Sequence, residues 1–525
     1  MTISKRSFLK GALSTMALAP LAAAEAKKAV LPKKWDIVTD VAVLGYGGAG
    51  ACAAIAAKDA GVTVMIFEKC ETGGGNTALS SGGMMIPNDE EAAFNYLNHT
   101  YDFANSVKDE EQLRAFVKEA MQSKDFLMSL KPDQKLYVYG RAGFPSIPGA
   151  ESIEKWRFRT PKGEKLHGGD MLFNTYRYAV EDVRKIPVVY KARALQLITE
   201  NGEVLGAWIE IDGVKKAVKA RRGVVLATGG FEFDDVMLSN HTMGKDFHRL
   251  GHPGNTGDGI RMAQAVGADL WHMNALSCPL GFEIPGLKSG IQVGMLAPSY
   301  IYVDQDGKRF VNEKHDNHVG IYGVNLLDAV KHRYPRIPCY IVFDEAARQR
   351  GPLIGGTTSG YAINREGYEW SADNSKEIES GMIVKAASIE ELAKKLGVPE
   401  ENLVETVRRW NEQMKAGADK DFDRPIQKKA KAEGREAPLL SAPLGDGPYY
   451  AAKLYPSLLN TQGGPRRNMK GQVLNPFNEP IARLYSAGEL GSMWGHIYQG
   501  ATNNSEACVF GRIAGRTVAA EKPWS

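Results

Sequence analysis

The chain has 525 residues, with 65 basic and 61 acidic side chains and a formal net charge of +4. Hydrophobic residues make up 43% and charged residues 24%, a balance that excludes disordered, collagen-like and coiled-coil classes. So small a net charge gives no field that favours nucleic acid or an anionic membrane.

The first 26 residues read as an export signal rather than as fold. Lys5, Arg6 and Lys10 precede an apolar run from Gly11 to Ala24, which is too short to span a bilayer. Small residues around Ala22–Ala26 offer an A-x-A-like cleavage position. The stretch Ser4-Lys5-Arg6-Ser7-Phe8-Leu9-Lys10 resembles a twin-arginine signal, with Lys5 in place of the first arginine. The expectation is an exported, periplasmic protein. The five cysteines, Cys52, Cys70, Cys278, Cys339 and Cys508, are widely spaced. They form no C-x-x-C and no C-x-x-C-H, so neither a zinc ribbon nor an attached c-type haem is encoded.

Asp40 to Leu44 reads as a buried strand and is followed by Gly45-Tyr46-Gly47-Gly48-Ala49-Gly50. An Ala-rich helix to about Ala60 comes next, and then a second buried strand, Val62 to Phe67, ending at Glu68. Each part suits dinucleotide binding. Gly45 makes the tight turn, Gly47 lets backbone reach a pyrophosphate, and Gly50 lets helix and strand pack closely. The phosphates would rest on the helix N-terminus, where free N–H groups and the dipole favour anions. Glu68 is placed to bond a ribose hydroxyl.

A second small-residue loop follows, with Gly73-Gly74-Gly75-Asn76-Thr77 and then Ser80-Ser81-Gly82-Gly83, long enough to wrap an extended cofactor. Ala194 to Arg221 alternates like a β-meander with hairpin turns at Asn201-Gly202 and Asp212-Gly213. Val224 to Ala227 reads as another buried strand, capped by Thr228-Gly229-Gly230. Thr256-Gly257-Asp258-Gly259 opens a helix, in which Asp258 can serve the helix dipole. Helices are expected after the capping-box pattern Ser388-x-x-Glu391 and from about Glu400 to Lys415. The polar stretch from Ala416 to Glu436 reads as a solvated loop. Leu484 to Glu489 is a last strand ending in small residues and an acid, and a helix runs from about Ser505 to Val518.

These pieces, from about residue 36 to the end, resemble the FAD-binding flavoproteins of the fumarate reductase and succinate dehydrogenase superfamily. That group includes soluble periplasmic fumarate and urocanate reductases and 3-ketosteroid Δ1-dehydrogenases. The specific parts are Gly254-Asn255-Thr256-Gly257-Asp258-Gly259, Gly307-Lys308-Arg309-Phe310-Val311-Asn312-Glu313, and the block from Ser486 to Gly515. The resemblance implies an α/β fold. A Rossmann-like FAD-binding domain in two parts, residues 36–270 and 447–525, would carry an inserted α+β capping domain, residues 271–446. It implies non-covalent FAD held by Gly45, Gly47, Gly48, Ala49, Gly50, Glu68, Lys69, Gly75, Asn76, Thr77, Ser81, Gly82, Gly83, Asp258, Glu489, Asn504 and Ser505. It also aims the final helix N-terminus at the flavin N1–C2=O edge through Asn503, Asn504 or Ser505, for which helix capping is the alternative role.

The chain departs from the reductases at three cationic positions. Asn317 stands where they carry a proton-donating arginine. Asn460-Thr461-Gln462 stands in place of a carboxylate-binding histidine, and Tyr498 in place of a second arginine. A dicarboxylate would lack its partners, which argues against a typical fumarate reductase. Tyr498 becomes the first candidate for general acid or base, with a structural hydroxyl as the alternative. His496 is expected to face the same cavity. His315, Asp316 and His318 are the remaining proton-handling groups, and Tyr300, Tyr302, Trp271 and Trp494 suggest an aromatic cavity. The expected activity is hydride transfer between flavin N5 and an activated C–C or C=C bond beside a carbonyl of a small molecule. Electrons would come from an external donor such as a periplasmic c-type cytochrome. A 3-ketosteroid Δ1-dehydrogenase-like enzyme and a non-catalytic flavin electron carrier are the alternatives. No nucleic-acid partner and no integral membrane segment are expected.

Overall fold

A computed structural model describes residues 31–104, 106–160, 167–287, 289–314, 318, 320–354, 367–427 and 439–524. The export signal, Asn317 and its neighbours His315 and Asp316 lie outside these residues.

The strand Ile37–Leu44 is wholly buried from Thr39 onward, because helices cover its sheet. It pairs in parallel with Val64–Phe67 on one side and Val214–Leu226 on the other. Val188–Val189 and Pro480–Ser486 extend the parallel order outward. The expected meander is present as Ala192–Glu200, Glu203–Ile211 and Val214–Leu226. The last of these runs on into the sheet centre, so the separate strand expected at Val224 is its end. Asn201 and Asp212 take positive φ, followed by Gly202 and Gly213, as two-residue hairpins require.

The first helix, Gly48–Asp59, packs on the final helix, Thr502–Ala520. The approach is so close that a Cβ on Gly511 would lie 2.7 Å from Ala49 O, and one on Gly515 2.3 Å from Ala53 O. The small residues of both helices are thus a packing requirement.

A second, seven-stranded sheet is centred on Tyr449–Leu458, which pairs with Leu280–Phe282, Cys339–Asp344, Ile383–Ala386 and His248–Arg249. Its central strand therefore lies beyond residue 446, where the sequence reading placed the end of the insert. Two ribbons join this region to the first sheet, Leu270–Trp271 with Gly464–Pro465 and Leu276–Ser277 with Asn460–Thr461. Helices Ile389–Leu396 and Glu400–Lys415 cover the second sheet. Ser388 Oγ accepts from Glu391 N at 3.2 Å, but Glu391 reaches back to Ala387 N at 2.7 Å rather than to the cap residue itself.

The Gly307–Glu313 motif is a buried ion network of this region. Arg309 pairs with Glu313 at 2.9 Å and with Asp419 at 3.0 Å, and Arg424 reaches Glu313 at 3.2 Å. The Arg309 guanidinium lies 4.4 Å from the Trp410 ring centroid. Asp419 and Arg424 are buried, although most of the described residues around them are exposed, as expected of a solvated loop. The local charge run hid two residues whose partners are about a hundred positions away.

A third sheet, Met84–Pro87, Ile153–Phe158 and Leu136–Arg141, sits against the final helix, where Met85 N donates to Ser505 Oγ. Among the described residues, no helix is long and apolar enough to cross a membrane.

Candidate active site

The turn after the first strand is fixed by close backbone approach. Gly45 has φ +104°, and a Cβ there would sit 2.4 Å from Ala227 O. A Cβ on Gly50 would sit 2.0 Å from Gly45 O. Gly47, at the helix N-cap, makes no side-chain cap, so apart from Gly48 N the first N–H groups are available to a ligand. Gly74 N donates to Tyr46 O at 2.8 Å and Gly48 N to Thr77 Oγ1 at 3.1 Å, so the second small-residue loop lies against the first.

A cavity of about 400 Å³ runs from this turn toward the final helix. Gly45, Gly47, Gly48, Ala49, Glu68, Lys69, Gly75, Asn76, Thr77, Ser81, Gly83, Asp258, Glu489 and Asn504 all line it. At one end, Glu68 accepts from Tyr46 N and Cys70 N, both at 2.8 Å. Asp258 pairs with Lys69 at 3.1 Å and Arg193 at 3.0 Å. Burial works to raise the Asp258 carboxyl, and the hydrogen bonds and charges of Arg193 and Lys69 outweigh it, leaving the group below its ordinary value.

Midway, Asn76 Nδ2 donates to both Glu232 Oε1 at 2.8 Å and Glu489 Oε2 at 2.9 Å. Asn255 Nδ2 also donates to Glu232, at 2.7 Å. Burial pushes the Glu232 carboxyl up to about 7 against these bonds. Burial, and then the Glu232 charge, push Glu489 upward as well. Two carboxylates this close share a proton rather than both ionise.

At the far end, Tyr498 is 7% exposed and its ring meets His318 edge-on, with centroids 4.9 Å apart at 85°. His318 Nδ1 lies 3.1 Å from Ser277 Oγ. Both rings line the cavity, as do Tyr139, Lys155, Arg157 and Gly500. Asn504 Nδ2 donates to Ser80 Oγ at 3.0 Å and Gly83 O at 3.1 Å, tying the final helix to the second loop. Ala501 holds the helix N-cap position with φ +83° and no side-chain cap, so Asn503, Asn504 and Ser505 are not capping groups.

Three further residue expectations change. Gly50, Gly82 and Ser505 do not line the cavity. A Cβ on Gly82 would strike Gly168 O at 2.0 Å, and Ser505 Oγ accepts from Met85 N at 2.6 Å, so Gly50, Gly82 and Ser505 serve packing. His496 turns outward: its Nδ1 lies 2.7 Å from the Tyr322 hydroxyl, and burial holds its imidazole below the ordinary value. Neighbouring positions on a short 3-10 turn, Gly495–Ile497, send His496 and Tyr498 apart. The four aromatics expected around a cavity are dispersed. Trp271 Nε1 donates to Gly491 O at 3.0 Å, Trp494 packs on Phe116, and Tyr300 sits beside Tyr302 under Arg424.

Buried polar atoms with no partner among the described residues mark what the cavity is shaped for. Thr228 Oγ1, Asn460 Oδ1 and both amide atoms of Asn503 are of this kind, and all three residues line it. Such atoms call for a polar ligand. The model of the FAD binding domain family matches residues 40–505.

The chain belongs to this FAD-binding family.

It is 28% identical to the 3-oxosteroid 1-dehydrogenase of Mycolicibacterium smegmatis, over 92% of this chain and 97% of that one. It is equally 28% identical to the fumarate reductase (cytochrome) of Shewanella frigidimarina, over 94% of this chain and 79% of that one. In fold it is similar to the 3-ketosteroid delta1-dehydrogenase from Sterolibacterium denitrificans, with TM-score 0.79 and 22% identity over 92% and 99% of the two chains. The protein is an FAD-dependent oxidoreductase related to both kinds of enzyme. The residues fit the cofactor: the glycine turn at the first helix would hold its diphosphate, and Asn76, Glu489, Asn503 and Asn504, which line the same cavity, would hold the rest.

Reading the sequence missed Tyr139, Lys155, Arg157, Glu232 and Asn255. Lys155 and Arg157 carried a signal, since alternation on a strand puts both on one face. Glu232 carried none, because its partner Glu489 is more than 250 residues away in sequence.

Proposed function

We propose that the protein is an exported ene reductase. It moves a hydride between N5 of non-covalently bound FAD and an activated C=C bond beside a carbonyl, and it is not a typical fumarate reductase. FAD supplies the hydride chemistry, and the protein's side chains supply the proton. The observation that carries this reading is the Tyr498–His318 pair inside the same cavity as the Ser80–Gly83 loop and the Asn504 turn. A phenol can both give and take a proton. His318, held by Ser277, packs against the ring and limits its rotation. The substrate carbonyl is oriented by amides such as Asn460 and Asn503. Electrons reach the flavin from a separate donor such as a periplasmic c-type cytochrome.

The N-terminal segment supports export, through the Lys5-Arg6 pair and its apolar run. The opposite direction, dehydrogenation of a 3-ketosteroid-like compound, is favoured by the similarity to the 3-oxosteroid 1-dehydrogenase. One measurement separates the two. Anaerobically reduced holoenzyme is mixed with enones and enoates, and oxidised holoenzyme with the saturated partners. Reoxidation of the flavin in the first arm supports the reductase. Bleaching only in the second supports the dehydrogenase. No response in either arm leaves an electron carrier and ends the proposal.

A further inference from the structure

The neighbouring parallel strands Val214–Leu226 and Pro480–Ser486 end in register, Leu226 beside Ser486. The chain just past each end carries an acid, Glu232 and Glu489, so the shared sheet edge brings the two together. Glu489 lines the cavity, whereas Glu232 does not reach it and is wholly buried. Their oxygens crowd one point: a Cβ on Gly230 would lie 2.4 Å from Glu489 Oε1 and 2.9 Å from Glu232 Oε2. Their other oxygens meet at Asn76, whose Nδ2 donates to both. Asn76 is held in this sense, because its Oδ1 accepts from His252 N at 2.7 Å.

Hydrogens at this point are short by one. Asn76 and Asn255 both donate to Glu232 Oε1, and Thr461 N donates to Glu489 Oε1 at 3.3 Å. Glu232 Oε2 is buried and meets no donor among the described residues. The charged and titratable neighbours point elsewhere. Arg249 donates to the main-chain oxygens of Glu232 and Phe247 and to Asp235, and His252 Nδ1 accepts from Gly254 N at 3.0 Å. A carboxylate oxygen left bare inside a protein is costly. A proton on Glu232 Oε2, donated to Glu489 Oε1, supplies the missing hydrogen and leaves one negative charge fewer on the pair. Burial acts in the same direction, pushing both carboxyls upward and Glu232 to about 7.

The diphosphate of FAD is itself anionic. The glycine turn that would hold it is close by, since Gly48 N donates to Thr77 Oγ1 at 3.1 Å and Thr77 follows Asn76 in the chain. We propose that Glu232 is a positioning residue for FAD: acting through Glu489, it holds a proton that keeps an additional negative charge off the wall against which the cofactor binds. An anionic ligand favours the protonated pair, so FAD binding draws a proton onto it, and FAD affinity falls as pH rises through and above the neutral range. One linked proton sets a ceiling of about tenfold per pH unit. Such a coupling holds for a reductase and a dehydrogenase alike, so its failure leaves the function proposed above untouched.

The test uses holoenzyme and no substrate. Holoenzyme is diluted at pH 6, 7 and 8.5, released FAD is read by its fluorescence, and tryptophan emission reports whether the fold is intact. Wild type is expected to hold FAD about 10-fold more weakly, or worse, at the highest pH than at the lowest. Glu232→Gln places an amide donor at the same point and does not titrate. Its FAD affinity should match that of wild type at the lowest pH and stay within about twofold across the range. A role confined to packing would not move this pH profile. The proposal is overturned if folded wild type releases FAD equally at all three pH values, or if folded Glu232→Gln keeps the wild-type slope. Should Glu232→Gln carry no flavin, Glu489→Gln replaces it. With a single carboxyl left, its profile should also be flat, and a wild-type slope there would overturn the proposal.

Discussion

The two ends of the cavity are built in opposite ways. The nucleotide end is built mostly from the stretch Ile37 to Thr77, in which each turn positions the next, with Asp258 joined to it through Lys69. The reacting end draws Tyr139, Lys155, Arg157, His318 and Tyr498 from segments hundreds of residues apart. The first is rigid because backbone touches backbone. The second is held by side chains meeting side chains, so its chemistry can change without disturbing the first.

That contrast sets the order of expected effects. Gly50→Val should be the most severe, because even its Cβ would overlap Gly45 O, which is fixed by the sheet. No soluble, flavin-loaded protein is expected, and normal yield with full flavin content would break the claim of backbone contact. Tyr498→Phe should keep its flavin and fold but lose about 10²–10⁴ in turnover, as loss of a general acid or base does. Turnover at the wild-type rate would move proton transfer to His318 or to the segment His315–Asn317.

The middle of the cavity should show in pH dependence. Folding raises the Glu232 carboxyl from its ordinary 4.5 to about 7. Between those values the folded protein keeps a proton that the unfolded chain has released. The stability from this group is complete below about pH 4.5 and is lost as pH rises to about 7. Urea unfolding of Glu232→Gln should therefore fall less steeply over that window than wild type, and parallel curves would remove Glu232 from the proton-sharing pair. The smallest effect is expected for His496→Phe. Losing the bond to Tyr322 should cost about 0.5–1.5 kcal/mol of stability and leave turnover within about twofold. A large drop in turnover would return His496 to the reacting end.

The same contrast explains what was legible in sequence. The glycine turn, Glu68 and the meander are local patterns whose physics is contained in a few dozen residues. The Gly307–Glu313 motif was visible too, but its role was not. Arg309 is neutralised by Asp419 from what reads as a charged loop, a pairing that only the fold creates. His496 and Tyr498 are two positions apart and look interchangeable on paper. One short turn sends the first to the outer surface of the site and the second into it. Lys155 and Arg157 look like ordinary surface charges until the third sheet folds against the small-residue loop and encloses their face.

The strand Tyr449–Leu458 has a consequence for how the protein is made. It is the centre of the second sheet, while Pro480–Ser486 and the helix Thr502–Ala520 complete the first. A ribosome that has delivered everything up to residue 446 has finished neither. Both cores wait for the last stretch of chain, and pairings of such long sequence separation are slow to form. Neither sheet can reach its full pairing before these segments are made, the second needing Tyr449–Leu458 and the first Pro480–Ser486.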